Sequence, residues 1–218
     1  MDRRSVKTVK TVGDHATYQQ RQEQICVVRQ LRYPARTGLI VSAAGDIVTA
    51  RKVAQGCEVI VADGLGNAER VAEDEASGLA LLRVYGAGKL AALSLARDAP
   101  TSGDITLVGI PDPKELGGLK QLMAIKARLR DGHAIELRGP SPMAGFSGAA
   151  ALDAQGHFLG IMETHNIVLA SVQPSVPPVR LISAATIRDF LAKHHVAAAQ
   201  TTSGDARASA IRIICVRK

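Results

Sequence analysis

The stretch GFSGAAALDAQGHFLGIM (residues 145–162) decides the fold. It opens with a Gly-x-Ser-Gly turn, Gly145-Phe146-Ser147-Gly148, with Pro140 and Pro142 just before it. Two short apolar runs follow, near 149–153 and 157–163, with Gly156 turning the chain between them. That is the pattern of an antiparallel hairpin. A Gly-x-Ser-Gly turn set between strands exposes a hydroxyl. It also points the N–H groups of Gly145 and Ser147 at one spot. Donors so placed stabilise a developing oxyanion, by ~3 kcal/mol apiece. The tetrapeptide alone recurs by chance, so its surroundings carry the weight.

Working outward, strand patterns continue on both sides. Upstream, TGLIVS (37–42) and IVTA (47–50) flank a Gly-Asp turn and predict a hairpin. EVIVAD (58–63), AERVAED (68–74) and GLALLRV (78–84) predict further strands, as do segments near 25–31, 91–95, 104–110, 123–130 and 134–138. Downstream, a strand is expected near 167–172, and the Pro-rich 174–178 cannot continue a ladder. Many short strands at about 8–12 residue spacing predict a barrel or sandwich. One segment differs. Ile187, Phe190 and Leu191 repeat at helical spacing behind Ser183, a capping residue, and predict a helix over 184–194. The last eight residues, IRIICVRK, predict a terminal strand after a linker from 197 to 209.

The composition suits a globular chain. The 218 residues are 46% hydrophobic and 22% charged, which excludes wholesale disorder. No apolar run reaches the ~18 residues of a membrane span. Aromatics are 3% with no Trp, against a stacking surface for nucleic acid. The net charge of +7 sits at the ends. Residues 1–36 carry eight basic and three acidic side chains, and residues 201–218 carry four and one. The body, 37–200, carries 15 and 16. The basic run Lys114, Lys120, Lys126, Arg128, Arg130 and Arg138 is broken by Glu115, Asp131 and Glu136, as exposed positions of alternating strands would be. No nucleic-acid partner follows from it.

Four blocks in order carry a family resemblance: 37–50, 53–84, 145–162 and 179–196. Over roughly 25–196 the chain resembles the trypsin-like serine proteases, in their bacterial Deg/HtrA-like branch. The resemblance implies an all-β fold of two six-stranded antiparallel barrels with a cleft between them and a C-terminal helix. The polar residues 1–24 read as a linker or N-terminal extension, and the resemblance implies a first barrel over 25–110 and a second barrel with the helix over 111–196. A linker and terminal strand over 197–218 would dock on the first barrel.

Carried over residue by residue, Ser147 falls on the nucleophile and Gly145 with Ser147 on the oxyanion hole. Lys52, in Thr49-Ala50-Arg51-Lys52-Val53, falls on the general-base His. Gly78, before Leu79-Ala80-Leu81-Leu82, falls on the orienting Asp. Ser141 falls at the end of the specificity pocket. Glu163, Thr164 and His165 fall on the strand that pairs with a peptide backbone. A serine hydroxyl is a poor nucleophile until a base takes its proton. Lys, with an ordinary pKa of about 10.4, holds its proton unless burial lowers that value. Gly78 supplies no carboxylate. The expectation is a pseudoprotease with a regulatory or peptide-binding role, the peptide lying in the inter-barrel groove by strand addition.

Two alternatives stand. One is an active serine endopeptidase in which Lys52 serves Ser147, since Ser–Lys variants of the triad exist. The other is a purely structural domain of a larger protein. Phe146 bears on it, because a bulky side chain inside the turn fills either core or pocket. The six histidines (His15, His133, His157, His165, His194, His195) offer a substitute base only against the usual structural reading of a lone His.

Cys26, Cys57 and Cys215 fit no zinc spacing, and nothing implies a metal or cofactor. Some secreted relatives carry a similar Gly-Cys after the His motif and a Cys in a short terminal strand. The resemblance thus implies a Cys57–Cys215 disulfide; three buried free thiols are the other reading. A disulfide implies an oxidising compartment, periplasmic or extracellular. No leader is visible at the start, so the chain is expected to be part of a longer exported protein, unless export is absent.

Overall fold

The computed structural model describes residues 35–95, 100–112, 121–139, 145–164, 179–198 and 205–217. The strand patterns at 25–31 and 167–172 lie outside them, as does the polar segment 1–24. Alternating burial builds the walls. In β7 (Met123–Arg130) Ile125, Ala127 and Leu129 are buried, while Ala124, Lys126, Arg128 and Arg130 face water. Period-two burial of this kind is the mark of a barrel wall.

Twelve strands close into two six-stranded barrels. The first runs β1 (Ala35–Ile40), β12 (Ala210–Val216), β3 (Val59–Ala62), β4 (Gly66–Asp74), β5 (Leu79–Arg83), β2 (Asp46–Ala50) and back to β1. The second runs β10 (Phe158–Thr164), β11 (Val179–Ser183), β8 (Ala134–Leu137), β7, β6 (Gly103–Gly109) and β9 (Ala150–Leu152). Every pairing is antiparallel. The change of barrel therefore falls before Gly103 and not at residue 111. The segment 103–109 pairs with β7 and β9 and is a wall of the second barrel.

The strand expected near 91–95 is absent. Leu93 and Leu95 are buried there, and Leu93 N–H donates to the Ile40 carbonyl (2.8 Å). An isolated apolar pair anchoring a connection mimics a short strand in sequence.

Three short helices complete the described residues: α1 (Arg51–Ala54), α2 (Ala184–Lys193) and α3 (Ala206–Ser209). Ser183 Oγ accepts from Thr186 N–H (3.1 Å) and caps α2. Its buried face, Ile187, Phe190 and Leu191, packs on β10, β11 and β5 and joins an apolar cluster drawn from both barrels. A separate cluster fills the second barrel and includes Leu107, Leu129, Phe146, Leu159 and Met162.

A Cys57–Cys215 disulfide joins the segment after α1 to β12, with a sequence separation of 158 between the two cysteines. Glu58 N–H donates to the Val216 carbonyl (2.8 Å) beside it. Among the described residues no helix is long and apolar enough to cross a membrane. The basic face of β7 and β8 is partly neutralised: Arg130 pairs with Glu136 (2.7 Å), and Arg128 and Arg138 each lie 3.5 Å from Asp104.

Candidate active site

The turn that carries Ser147 is held by the first barrel. Thr37, fully buried on β1, donates from Oγ1 to the Gly145 carbonyl (3.0 Å) and from its N–H to the Ser147 carbonyl (3.2 Å). The same Oγ1 accepts from Ile110 N–H (2.9 Å). Thr49 Oγ1 on β2 donates to the Thr37 carbonyl (2.7 Å). On the other side Gly148 N–H donates to the Met162 carbonyl, and Met162 N–H to the Ala149 carbonyl, both at 2.8 Å. Strands of both barrels thus fix the turn.

The small residues are required. Gly145 has φ +106° and Gly148 φ +89°, a region that side chains rarely enter. A Cβ on Gly148 would stand 2.0 Å from the Thr37 carbonyl oxygen. Phe146 turns inward. It is fully buried in the core of the second barrel. The N–H groups of Gly145 and Ser147 meet no backbone acceptor among the described residues.

Ser147 itself is 6% exposed, and its Oγ is buried without a hydrogen-bond partner. No hydrogen bond therefore joins it to Lys52 or to any described histidine. Lys52 lies on α1, exposed to solvent. Its carbonyl and that of Gln55 accept from Arg217 Nη2 (3.4 and 3.0 Å), which ties α1 to the end of β12. Arg51 beside it faces Glu73 and Glu75 at 3.9 and 3.5 Å.

Gly78 leads into β5 with φ +72°, and its carbonyl accepts from Arg51 N–H (2.7 Å). Around it lies an ion pair that sequence reasoning missed. Glu163, buried on β10, accepts from Arg180 Nη2 on β11 (2.9 Å). A Cβ on Gly78 would stand 3.5 Å from Glu163 Oε1 and from Arg180 Nη2. The resemblance implies that Glu163 lies on the strand that pairs with a peptide backbone; its side chain lies against Gly78. No spacing rule relates residues 78 and 163, so only the packing of one barrel against the other reveals their approach.

Thr164 ends β10, half-buried. The pairing of β10 with β11 runs to Thr164, whereas its pairing with β9 stops at Ile161. Ser141 and His165 lie outside the described residues. Of the histidines that are described, His133 and His157 are exposed on turns. His194 stacks edge-on against Phe190, and His195 follows α2 at φ +57°.

The family model of the trypsin-like peptidase domain matches residues 36–161, from β1 through the Ser147 turn into β10. The chain belongs to that family. Two solved structures share its fold. The serine endoprotease from Yersinia pestis is 24% identical over 72% of this chain, with a TM-score of 0.55. The MamO protease domain from Magnetospirillum magneticum is 15% identical over 72%, also at 0.55. This trypsin-like domain spans 56% of the Yersinia endoprotease and 87% of the MamO domain. No curated protein matches it. The Cys57–Cys215 disulfide is compatible with an exported protein.

Proposed function

We propose that this trypsin-like domain is a pseudoprotease that keeps a peptide-binding groove and has lost proton transfer. The observation that carries the reading is Ser147 Oγ, buried and bonded to no base. A nucleophile without a base retains only what the oxyanion hole and binding contribute. Three further features support it. The position matching the base is Lys52, on an exposed helix. The position matching the orienting acid is Gly78, in a left-handed conformation. The space beside Gly78 holds a carboxylate already neutralised by Arg180.

The groove reading rests on β10. Its pairing with β11 runs on to Thr164 after its pairing with β9 stops at Ile161, which leaves Thr164 at the end of the edge that β9 covers. An open edge accepts an extended peptide by main-chain hydrogen bonds, with no need of catalysis. The proposed role is regulatory or peptide-binding.

A fluorophosphonate probe tests the chemistry. The expected result across pH 7–10 is no labelling above that of the Ser147→Ala variant. Stoichiometric labelling that vanishes in Ser147→Ala would overturn the reading in favour of an active endopeptidase served by Lys52.

A further inference from the structure

Arg212 is a second buried anomaly, away from Ser147. Ile211, Ile213 and Cys215 alternate with it along β12 and belong to the first barrel's core. Arg212 therefore points away from that core. It is nonetheless only 6% exposed. Its Nη1 lies 3.5 Å from Asp63 Oδ2. Its Nε and Nη2 are buried with no hydrogen-bond partner. Those two nitrogens share one edge of the planar guanidinium. That edge is the fork that grips two carboxylate oxygens side by side. Buried donors of a charged group are costly to leave unmatched.

A cavity of about 220 Å³ adjoins this pair, lined among the described residues by Asp63, Ile110, Leu122, Ala210, Ile211 and Arg212. Among the described residues Leu122 is one of four large apolar side chains left exposed, at 37%. The wall thus combines a cation, its acidic neighbour and an uncovered aliphatic surface.

We propose that this cavity binds a carboxylate carried on a small apolar group. Arg212 Nε and Nη2 are themselves shielded from solvent, so binding swings the guanidinium until that edge faces the cavity, where it holds the two oxygens. Leu122 and Ile110 cover the apolar part. The volume lies below the ~300–1,000 Å³ of drug-sized sites, so it suits one small acid or one terminal residue. Asp63 argues against phosphate, because a second negative charge on the ligand would face a carboxylate. The site shares Ile110 with the hydrogen-bond network that holds the Ser147 turn, but it uses no residue at the nucleophile, base or acid position and stands whether or not Ser147 reacts. Thr37, which faces Arg212 across β1 and β12, is also the residue that holds the Ser147 turn.

Nitrogen-15 NMR of the whole chain tests it, with isovalerate, N-acetyl-leucine, N-acetyl-leucinamide and inorganic phosphate as probes. The two acids should shift the Arg212 Nε–H signal and the Asp63 and Ile211 amides saturably. The amide should bind at least ~tenfold more weakly, since it cannot take both forked donors. Tighter binding of N-acetyl-leucine assigns the site to a chain terminus, and equal binding to free acids. Arg212→Gln should lose the response, and Asp63→Asn should strengthen it. The proposal fails if neither acid gives a saturable shift, if the amide binds equally, or if phosphate moves the same signals as strongly. If Arg212→Gln does not fold, the acid-against-amide comparison on the unaltered chain still decides.

Discussion

Gly148 and Gly78 both sit at positive φ, but they differ in what surrounds them. At Gly148 a methyl group would meet the Thr37 carbonyl at 2.0 Å, and that carbonyl is already fixed by Thr49. Neither strand has room to retreat. Gly148→Ala should therefore cost about 3 kcal/mol, from backbone strain and overpacking together. Urea unfolding measures it, and a loss under ~1 kcal/mol would mean the turn is looser than its hydrogen bonds imply. At Gly78 the nearest atoms lie 3.3–3.5 Å away and belong to side chains. The obstacle to an aspartate there is charge and φ rather than volume. Gly78→Asp should cost about 1–2 kcal/mol from the left-handed backbone, with repulsion from Glu163 on top. Adding Glu163→Gln should recover part of that loss. A double-mutant cycle reads the coupling, and a coupling of zero would show that Glu163 does not face position 78.

At the scale of elements, the β9–β10 hairpin shows how one side chain sets a turn. Asp153 Oδ1 accepts from the N–H groups of Gln155 (2.9 Å) and His157 (2.8 Å), and Oδ2 lies 3.0 Å from the His157 ring. Burial, the largest single influence, pushes its pKa up, but the hydrogen bonds from His157 and Gln155 together outweigh it and hold the carboxyl below its ordinary value. A carboxyl whose folded pKa is depressed adds stability above its unfolded pKa, and loses it as pH falls through the folded value. Asp153→Ala should cost about 1–2 kcal/mol at neutral pH. The gap between variant and parent should shrink as pH drops below about 3.9, the ordinary Asp value. Parallel urea titrations at neutral and acid pH measure it, and a gap independent of pH would mean that the charge contributes nothing. This hairpin is also the most legible part of the sequence. Gly-x-Ser-Gly, the apolar runs and the Gly156 turn are all local, and so is the Ser183 cap of α2. The ion pair beside Gly78 and the orphaned edge of Arg212 are not legible. The first depends on the packing of the two barrels, which brings residue 78 to residue 163. The second depends on what is missing from a side chain's surroundings. Residues 91–95 mislead for the opposite reason. Two buried leucines there satisfy a strand pattern while anchoring a connection.

The first barrel closes only through the end of the chain. β12 lies between β1 and β3, pairing Ala35–Leu39 on one side and Val59–Ala62 on the other. Without it two edges would stand open, each a template for aggregation. The Cys57–Cys215 bond holds this late strand to the segment after α1, across a sequence separation of 158. In the chain-entropy account a loop of that size removes about 5 kcal/mol of freedom from the unfolded chain; measured values more often reach about 2–4. The gain acts on the unfolded state, so folded architecture should survive reduction. The reduced protein, or Cys57→Ser with Cys215→Ser, should therefore keep its far-ultraviolet dichroism in buffer. Its urea midpoint should fall by an amount worth about 2–5 kcal/mol. Deleting residues 205–218 should act differently, because it removes the strand as well as the tether. That variant should lose the cooperative transition and aggregate. If the reduced and truncated proteins behave alike, the strand pairing of β12 holds little on its own and the covalent bond is what closes the barrel. If they differ as stated, the bond is a tether on a strand that docks through its own hydrogen bonds and its buried Ile211 and Ile213.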